Sequence, residues 1–400
     1  MKVLNDYRKI IGEKLVNEIY KKARPLYNKR VIHINSTFYG GGVAEILTGL
    51  VPLMNDVGLD AGWRIIRGAP EFFSTTKKFH NALQGDKINL TDIKKQIYIQ
   101  INEDFSSYTH LNHDCVIIHD PQPLPLIKFF KKRQPWIWRG HVDLSHPNPQ
   151  LWDYLKEFIL KYDITILSHK EYANNLPTDY RIVHPAIDPL STKNMDLSRE
   201  QIDEHLEKFN IDPKRPIIAQ ISRFDKWKDP LGVLEIYKRV RKEIDCQLVL
   251  CGSMASDDPE GVEIYHDAIQ KSEELTNNGD VIMLTLESNL LVNVLQRASS
   301  VIIQKSIREG FGLTVTEALW KGTPVVASNI GGIPLQIKNG KNGFLVDPHD
   351  IDGFANKVIE LLKNQKMAKK VGAQGRETVR QNFLITRILS DYIDVLNEVL

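Results

Sequence analysis

Twelve short runs of apolar, mostly β-branched residues, separated by stretches with helical spacing, constrain this 400-residue chain more than any other feature. In the first half the runs are Val31–Asn35, Trp63–Ile66, Val116–His119, Trp136–Trp138, Thr165–Ser168 and Arg181–His184. In the second half they are Ile217–Ile221, Leu248–Leu250, Val281–Leu284, Val301–Gln304, Val325–Ala327 and Phe344–Val346. Helical patterns intervene, among them Val43–Asn55, Leu151–Lys161, Leu231–Arg241, Val262–Glu274, Leu290–Arg297, Thr314–Trp320 and Ile351–Leu362. Strand–helix–strand repetition with buried strands means parallel sheets in an α/β fold. One sheet of twelve strands would exceed the roughly ten that open sheets tolerate, so two doubly wound domains are expected. The polar stretch Asp188–Ile211 is the candidate linker, and it sets the boundaries at residues 1–205 and 206–383. Sites in such sheets lie beyond the carboxyl ends of the strands, and with two domains the expected site is the cleft that separates them.

Composition excludes several classes. Hydrophobic residues make up 42% and charged residues 26%, a globular balance. A net charge of +2 argues against a general nucleic-acid binder. Cys246 and Cys251 bracket one apolar run, roughly 16 Å apart on opposite strand faces, so they cannot bridge; the third cysteine is Cys115. That usage reads as reduced and cytoplasmic. The N-terminus has no uninterrupted apolar core of signal-peptide length and looks like an amphipathic helix, and no run reaches the 18 or so apolar residues of a membrane span. Neither nucleic acid nor membrane is expected as a partner.

The polar residues at strand ends carry the chemistry. After Val301–Gln304 comes Lys305-Ser-Ile-Arg-Glu-Gly-Phe-Gly-Leu-Thr-Val-Thr-Glu317, which places Glu309 on a loop and Glu317 in the opening turns of a helix. Gly310 and Gly312 flank Phe311 and permit a tight turn, and the free amides of the helix start can receive an anion. The competing account makes Glu309 a solvated loop charge and pairs Glu317 with Lys321 on the helix surface. After Ile217–Ile221 comes Ser222-Arg-Phe-Asp-Lys-Trp-Lys228, with Arg223 and Lys228 at the sheet's carboxyl edge. Two cations beside a diphosphate gain roughly 4 kcal/mol per contact at an effective dielectric near 20, and the gain grows as charge develops on a leaving group. A charged helix-entry loop is the competing account. Gly40-Gly-Gly-Val-Ala-Glu45 could crowd backbone amides around an anion, or be a flexible turn; it matches neither the dinucleotide nor the Walker pattern.

Two further strand ends are polar. Ile117-Ile-His-Asp-Pro-Gln-Pro-Leu-Pro125 holds Asp120 and Gln122 in a proline-stiffened turn suited to sugar hydroxyls, with a purely structural turn as the rival. Trp136-Ile-Trp-Arg-Gly-His-Val-Asp-Leu-Ser-His146 ends in the polar Arg139 and His141, the histidine either a hydroxyl or carbonyl contact or a side chain satisfied within a wall. His110 and His113 lack the partners of a metal site, and no Gly-x-Ser-x-Gly elbow occurs.

These residues resemble the retaining, nucleotide-sugar-dependent glycosyltransferases of the two-Rossmann GT-B architecture, family 4. The matching pieces are Gly40-Gly-Gly-Val-Ala-Glu, Ser222-Arg-Phe-Asp-Lys-Trp-Lys-Asp, Glu309-Gly-Phe-Gly-Leu-Thr-Val-Thr-Glu and Thr323-Pro-Val-Val-Ala-Ser-Asn-Ile-Gly-Gly, and they span most of the chain. His119-Asp-Pro-Gln-Pro-Leu-Pro and Trp138-Arg-Gly-His-Val-Asp-Leu-Ser-His narrow the likeness to the glycosyltransferring trehalose synthases and trehalose phosphorylases within it.

The resemblance implies that Arg223 and Lys228 hold the diphosphate of a nucleoside-diphosphate glucose, with Ser222 alongside. Glu317 would accept from the ribose hydroxyls. Glu309 and the backbone of Gly310, Phe311, Gly312 and Leu313 would hold the donor glucose and distal phosphate. Gly252 would border the nucleotide, Gly41 and Gly42 would approach the phosphate, and His141 would contact the donor sugar. Asp120, Gln122 and Arg139 would touch the acceptor. Residues 384–400 would form a helix crossing back to the N-terminal domain. The first domain would then serve the acceptor and the second the nucleotide sugar.

The implied reaction moves glucose from the donor to glucose, reversibly, giving trehalose with retention. The resemblance implies front-face attack with Glu309 in support; a covalent route of two inverting steps would need a carboxylate on the far face of the sugar, and the sequence leaves both open. No tightly bound cofactor is expected, although Mg2+ could accompany the diphosphate without protein ligands. A homodimer is an open expectation. The rivals are phosphorolysis of trehalose, a non-hydrolysing sugar-nucleotide epimerase and a two-domain sugar-binding protein.

Overall fold

The computed structural model describes residues 2–39, 41–173, 176, 178–252 and 259–400. The chain divides into two compact units, Met1–Ala186 with Leu384–Leu400, and Ile187–Phe383.

In the first unit the strands are β1 (Arg30–Asn35), β2 (Asp60–Ile65), β3 (Cys115–His119), β4 (Trp136–Gly140), β5 (Ile164–Leu167) and β6 (Tyr180–Ile182). They form one parallel sheet ordered β2-β1-β3-β4-β5-β6. In the second unit β7 (Ile217–Ile221), β8 (Gln247–Cys251), β9 (Val281–Leu284), β10 (Val301–Gln304), β11 (Val325–Ser328) and β12 (Phe344–Val346) form another. Read from one edge, its order is β9-β8-β7-β10-β11-β12, the 3-2-1-4-5-6 order of dinucleotide-type folds. The expected α/β fold of two doubly wound domains is the fold observed.

The sequence dictates this through burial. All residues of β3, β4, β7, β8 and β10 are buried, because helices cover both faces of each sheet. Each fully buried aliphatic side chain contributes about 1.5–3 kcal/mol, so such runs cannot remain outside a sheet. The order of each sheet reverses once, between β1 and β3 and between β7 and β10. At such a switch point the loops leaving neighbouring strands diverge and open a crevice.

The final helix, Ile385–Val399, packs within the first unit. Lys22 Nζ lies 2.7 Å from Asp394 Oδ2, and Arg181 pairs with Glu398. The segment after Ile187 is fastened into the second unit instead. Asn293 Nδ2 donates to the Thr192 and Met195 carbonyls at 2.9 and 2.8 Å. Much of the polar stretch from Asp188 is therefore folded onto the second unit.

Candidate active site

Two loops leave the second unit's switch point side by side. The loop after β7 runs from Ser222 to Asp229, and Asp229 (φ +43°) caps the helix Pro230–Arg241 by accepting from the Gly232 amide at 2.9 Å. The loop after β10 runs from Lys305 to Gly312, whose left-handed backbone (φ +82°) starts the helix Leu313–Trp320. The pairing of β10 with β7 sets their spacing.

Cross-links make the two loops one object. Lys228 Nζ donates to Glu309 Oε2 at 2.5 Å. That oxygen also accepts from Gln304 Nε2 at 3.3 Å and Ser306 Oγ at 3.1 Å. The Ile307 amide donates to the Trp227 carbonyl at 2.7 Å, and the Arg308 guanidinium lies 5.3 Å from the Trp227 ring centroid. Lys305, 2% exposed, donates its Nζ to Asp229 Oδ2. Asp225 orders both cations: Oδ1 accepts from the Lys228 amide at 3.0 Å, and Oδ2 lies 3.1 Å from Arg223 NH2 as an ion pair. The Arg223 side chain is 53% exposed. Its charge reaches solvent, whereas Lys228 is held back by Glu309.

Glycines fix the close approaches. A Cβ on Gly331 would stand 1.7 Å from the Glu309 carbonyl oxygen, and one on Gly252 would stand 1.8 Å from the Ser222 oxygen. Gly332 donates its amide to the Gly310 carbonyl at 3.1 Å. The glycine pair ending Thr323–Gly332 thus supports the Glu309-Gly-Phe-Gly turn, a role the sequence motif alone did not specify. Glu317 lies deeper, 3% exposed, and its carboxylate accepts from Gln296 Nε2 at 3.1 Å with Lys193 Nζ 3.6 Å away. Lys321 reaches the Glu317 backbone carbonyl at 3.4 Å and Asn194 Oδ1 at 2.8 Å, a different arrangement from the surface pair that the spacing offered.

The first unit's switch point has another chemistry. The glycine run follows β1; Gly40 lies outside the described residues, while exposed Gly41 (φ +79°) and half-buried Gly42 begin the helix Gly41–Asp56. At the end of β3 Asp120 adopts a left-handed backbone (φ +61°) and accepts the His141 amide on Oδ1 at 2.8 Å. The Trp138 indole donates to the Asp120 carbonyl at 3.1 Å. The proline turn is pinned from the helix Asp92–Tyr108: Tyr98 donates its hydroxyl to the Pro121 carbonyl, and Asn102 Nδ2 donates to the Gln122 carbonyl at 3.1 Å. Desolvation pushes the Asp120 carboxyl up to about 6, against the pull of the His141 amide and the Arg139 charge. His141 stands beside Asp120, its imidazole held well below the ordinary range by burial and then by Arg139.

Arg139 departs from the expectation of an acceptor contact. It is 1% exposed, and its NH2 donates inward to Ser168 Oγ at 3.2 Å and the Val183 carbonyl at 2.7 Å. Strand alternation turns it into the wall, where it shapes the field around Asp120 and His141. Lys305, Asp229, Gln304, His33 and His119 were missed as parts of these edges. The available signal was a polar side chain inside or directly ending an apolar run, as in Val31-Ile-His-Ile and Ile302-Ile-Gln-Lys. Among the described residues no group of three His, Cys, Asp or Glu side chains could hold a metal, and no helix is long and apolar enough to cross a membrane.

Comparison with known proteins places the chain among its relatives. Residues 33–174 match the family model for the trehalose synthase N-terminal domain, and residues 201–378 match glycosyl transferases group 1. The trehalose synthase of Thermococcus litoralis is 49% identical, over 99% of this chain and 97% of that protein. A trehalose phosphorylase of Pleurotus pulmonarius is 30% identical over 94% of this chain, but only 58% of its own length is matched. Among solved structures, trehalose-6-phosphate from E. coli bound with UDP-2-fluoro glucose superposes with a TM-score of 0.75 at 14% identity, covering 93% of this chain and 100% of that one, a likeness of fold. The chain belongs to the trehalose synthase family of glycosyltransferases with the GT-B fold.

Proposed function

We propose that the protein transfers glucose from a nucleoside-diphosphate glucose to glucose, forming trehalose with retention at the donor carbon. One observation carries this reading: Arg223, Lys228 and Glu309 converge at the second unit's switch point in a frame fixed by Asp225, Ser306 and Gln304. An ammonium has three donors, and Glu309 uses one from Lys228, which leaves two for phosphate oxygens. Arg223 adds a second cation on the solvent side. The amides starting the helix Leu313–Trp320 receive the distal phosphate. Glu317 accepts from the ribose.

In the reaction the donor C1–O bond breaks, and its electron pair leaves on the diphosphate oxygen. The acceptor hydroxyl oxygen bonds to C1 on the same face, and its proton passes to the departing phosphate oxygen. The cations stabilise the charge as it grows, which lowers the barrier rather than merely tightening binding. Glu309 acts by holding Lys228, because one of its oxygens already takes three donors and a carboxylate so engaged is a poor nucleophile. Gln122 and His141 present neutral groups to sugar hydroxyls, and Asp120, whose carboxyl titrates at about 6, presents a carboxylate at neutral pH. Mg2+ enters, in this reading, only with the diphosphate.

The test incubates the protein with glucose and the adenine, uracil or guanine glucose nucleotide, with acceptor omitted as control. A parallel arm offers trehalose and inorganic phosphate without nucleotide. Equimolar trehalose and nucleoside diphosphate, dependent on acceptor, is the expected result. Phosphorolysis without nucleotide, or donor conversion without acceptor, would overturn the reading in favour of a phosphorylase or an epimerase.

A further inference from the structure

Three imidazoles run in single file through the first unit. His33 Nδ1 lies 3.0 Å from His119 Nε2, and His119 Nδ1 lies 2.9 Å from His141 Nε2. The file ends on a thioether, with Met54 Sδ 3.3 Å from His33 Nε2. His33, Met54 and His119 are buried. Burial keeps all three rings neutral, His33 down to about 3 and His119 and His141 well below the usual value.

A neutral imidazole has one N–H and one lone pair, so a file of three has only two self-consistent proton arrangements, running in opposite directions. A thioether sulfur accepts weakly and has no proton to give. If His33 Nε2 were bare, two lone pairs would face each other in a dry interior. His33 therefore carries its proton on Nε2, and its Nδ1 accepts from His119 Nε2–H. His119 Nδ1 in turn accepts from His141 Nε2–H.

We infer that Met54, His33 and His119 are positioning residues that lock His141 in the Nε2–H tautomer, leaving its Nδ1 as a hydrogen-bond acceptor for a sugar hydroxyl. The identity of that hydroxyl rests on the transfer reading above; the tautomer does not. His141 keeps part of its surface exposed, and no described protein group is hydrogen-bonded to Nδ1. The direction matters chemically. An acceptor selects a hydroxyl as donor, and an uncharged ring places no positive charge against the oxocarbenium character of a breaking glycosidic bond. A hydroxyl on a sugar turning positive becomes a stronger donor, so the contact strengthens in the transition state and its loss falls on kcat.

The test is nitrogen NMR of the full-length protein labelled at histidine, with His141→Asn used to assign the signal. His141 is expected to show a protonated Nε2 and a bare Nδ1. Met54→Leu, a volume-conserving exchange, removes the acceptor that sets the direction. In that variant His141 protonated on Nδ1 is expected to appear, with kcat falling about tenfold and KM changing far less. Wild-type His141 protonated on Nδ1, or a tautomer unchanged by Met54→Leu, would overturn the relay. An altered tautomer with unchanged kcat would overturn the hydroxyl contact. Failure of the transfer assay would leave the tautomer result standing, so the two readings fail separately.

Discussion

The two switch points share a parallel α/β frame and differ in charge. At the second unit's edge the side chains form opposite-charge pairs, Lys228 with Glu309, Arg223 with Asp225 and Lys305 with Asp229. At the first unit's edge burial suppresses charge: the imidazoles are neutral and Asp120 titrates near 6. Cations already paired at a crevice can share a dianion at little reorganisation cost, whereas neutral acceptors suit hydroxyls. Under the proposed transfer reading, the same topology serves phosphate at one edge and sugar at the other, according to which polar residues end its strands.

The largest expected effect breaks the charged edge. Lys228→Ala should lower kcat by about 10²–10³-fold, the range for removing a stabilising donor to developing charge. Arg223→Ala should cost less, because its guanidinium is half-exposed and screened. Acceptor KM should move little in either variant; steady-state kinetics with unchanged turnover in both would remove their role.

Glycines sharpen the contrast next. Gly331→Ala (φ +55°) drives a Cβ into the Glu309 carbonyl and should cost about 3 kcal/mol in urea unfolding. Gly41→Ala (φ +79°) meets nothing within 4 Å and should cost only the left-handed backbone penalty, about 1 kcal/mol. Equal losses would mean that the supporting contact at Gly331 is unimportant.

The first unit's edge carries a pH signature. The Asp120 carboxyl titrates near 3.8 when unfolded and about 6 when folded. Between those values the folded protein holds a proton that the unfolded chain lacks. Its contribution to stability therefore falls as pH rises from about 4 to 6, by about 2 kcal/mol, and stays lost above that. Asp120→Asn should flatten this slope in denaturant titrations from pH 4 to 8; an unaltered slope would place the titration elsewhere. The smallest effect belongs to an exposed pair away from both edges. Arg181→Ala, which breaks the contact with Glu398, should cost less than about 1 kcal/mol in the same unfolding measurement.

The strands were legible because burial on both faces leaves an uninterrupted apolar run, and all twelve lie where those runs stand. The helices Pro70–Leu83, Asp92–Tyr108 and Gln365–Asn382 were not singled out. Each covers a core with one narrow face, and buried polar residues such as Thr75, Thr76 and Asn102 blur the period. Arg223, Lys228 and Glu309 stood out because polar residues following an apolar strand emerge at the sheet's carboxyl edge, where doubly wound folds bind ligands. Arg139 fits that same pattern yet points inward, since strand parity rather than composition sets its direction. The Lys305–Asp229 pair and the His33–His119 contact join residues 76 and 86 positions apart, which no local pattern reveals.

The most direct measurement is calorimetric titration of a nucleoside diphosphate into the wild-type protein, Lys228→Ala and His141→Asn. If the charged edge holds the diphosphate and the neutral edge serves sugar, affinity should drop at least tenfold in Lys228→Ala and stay at the wild-type value in His141→Asn. Undiminished binding to Lys228→Ala, or equal weakening in both variants, would contradict that division of labour.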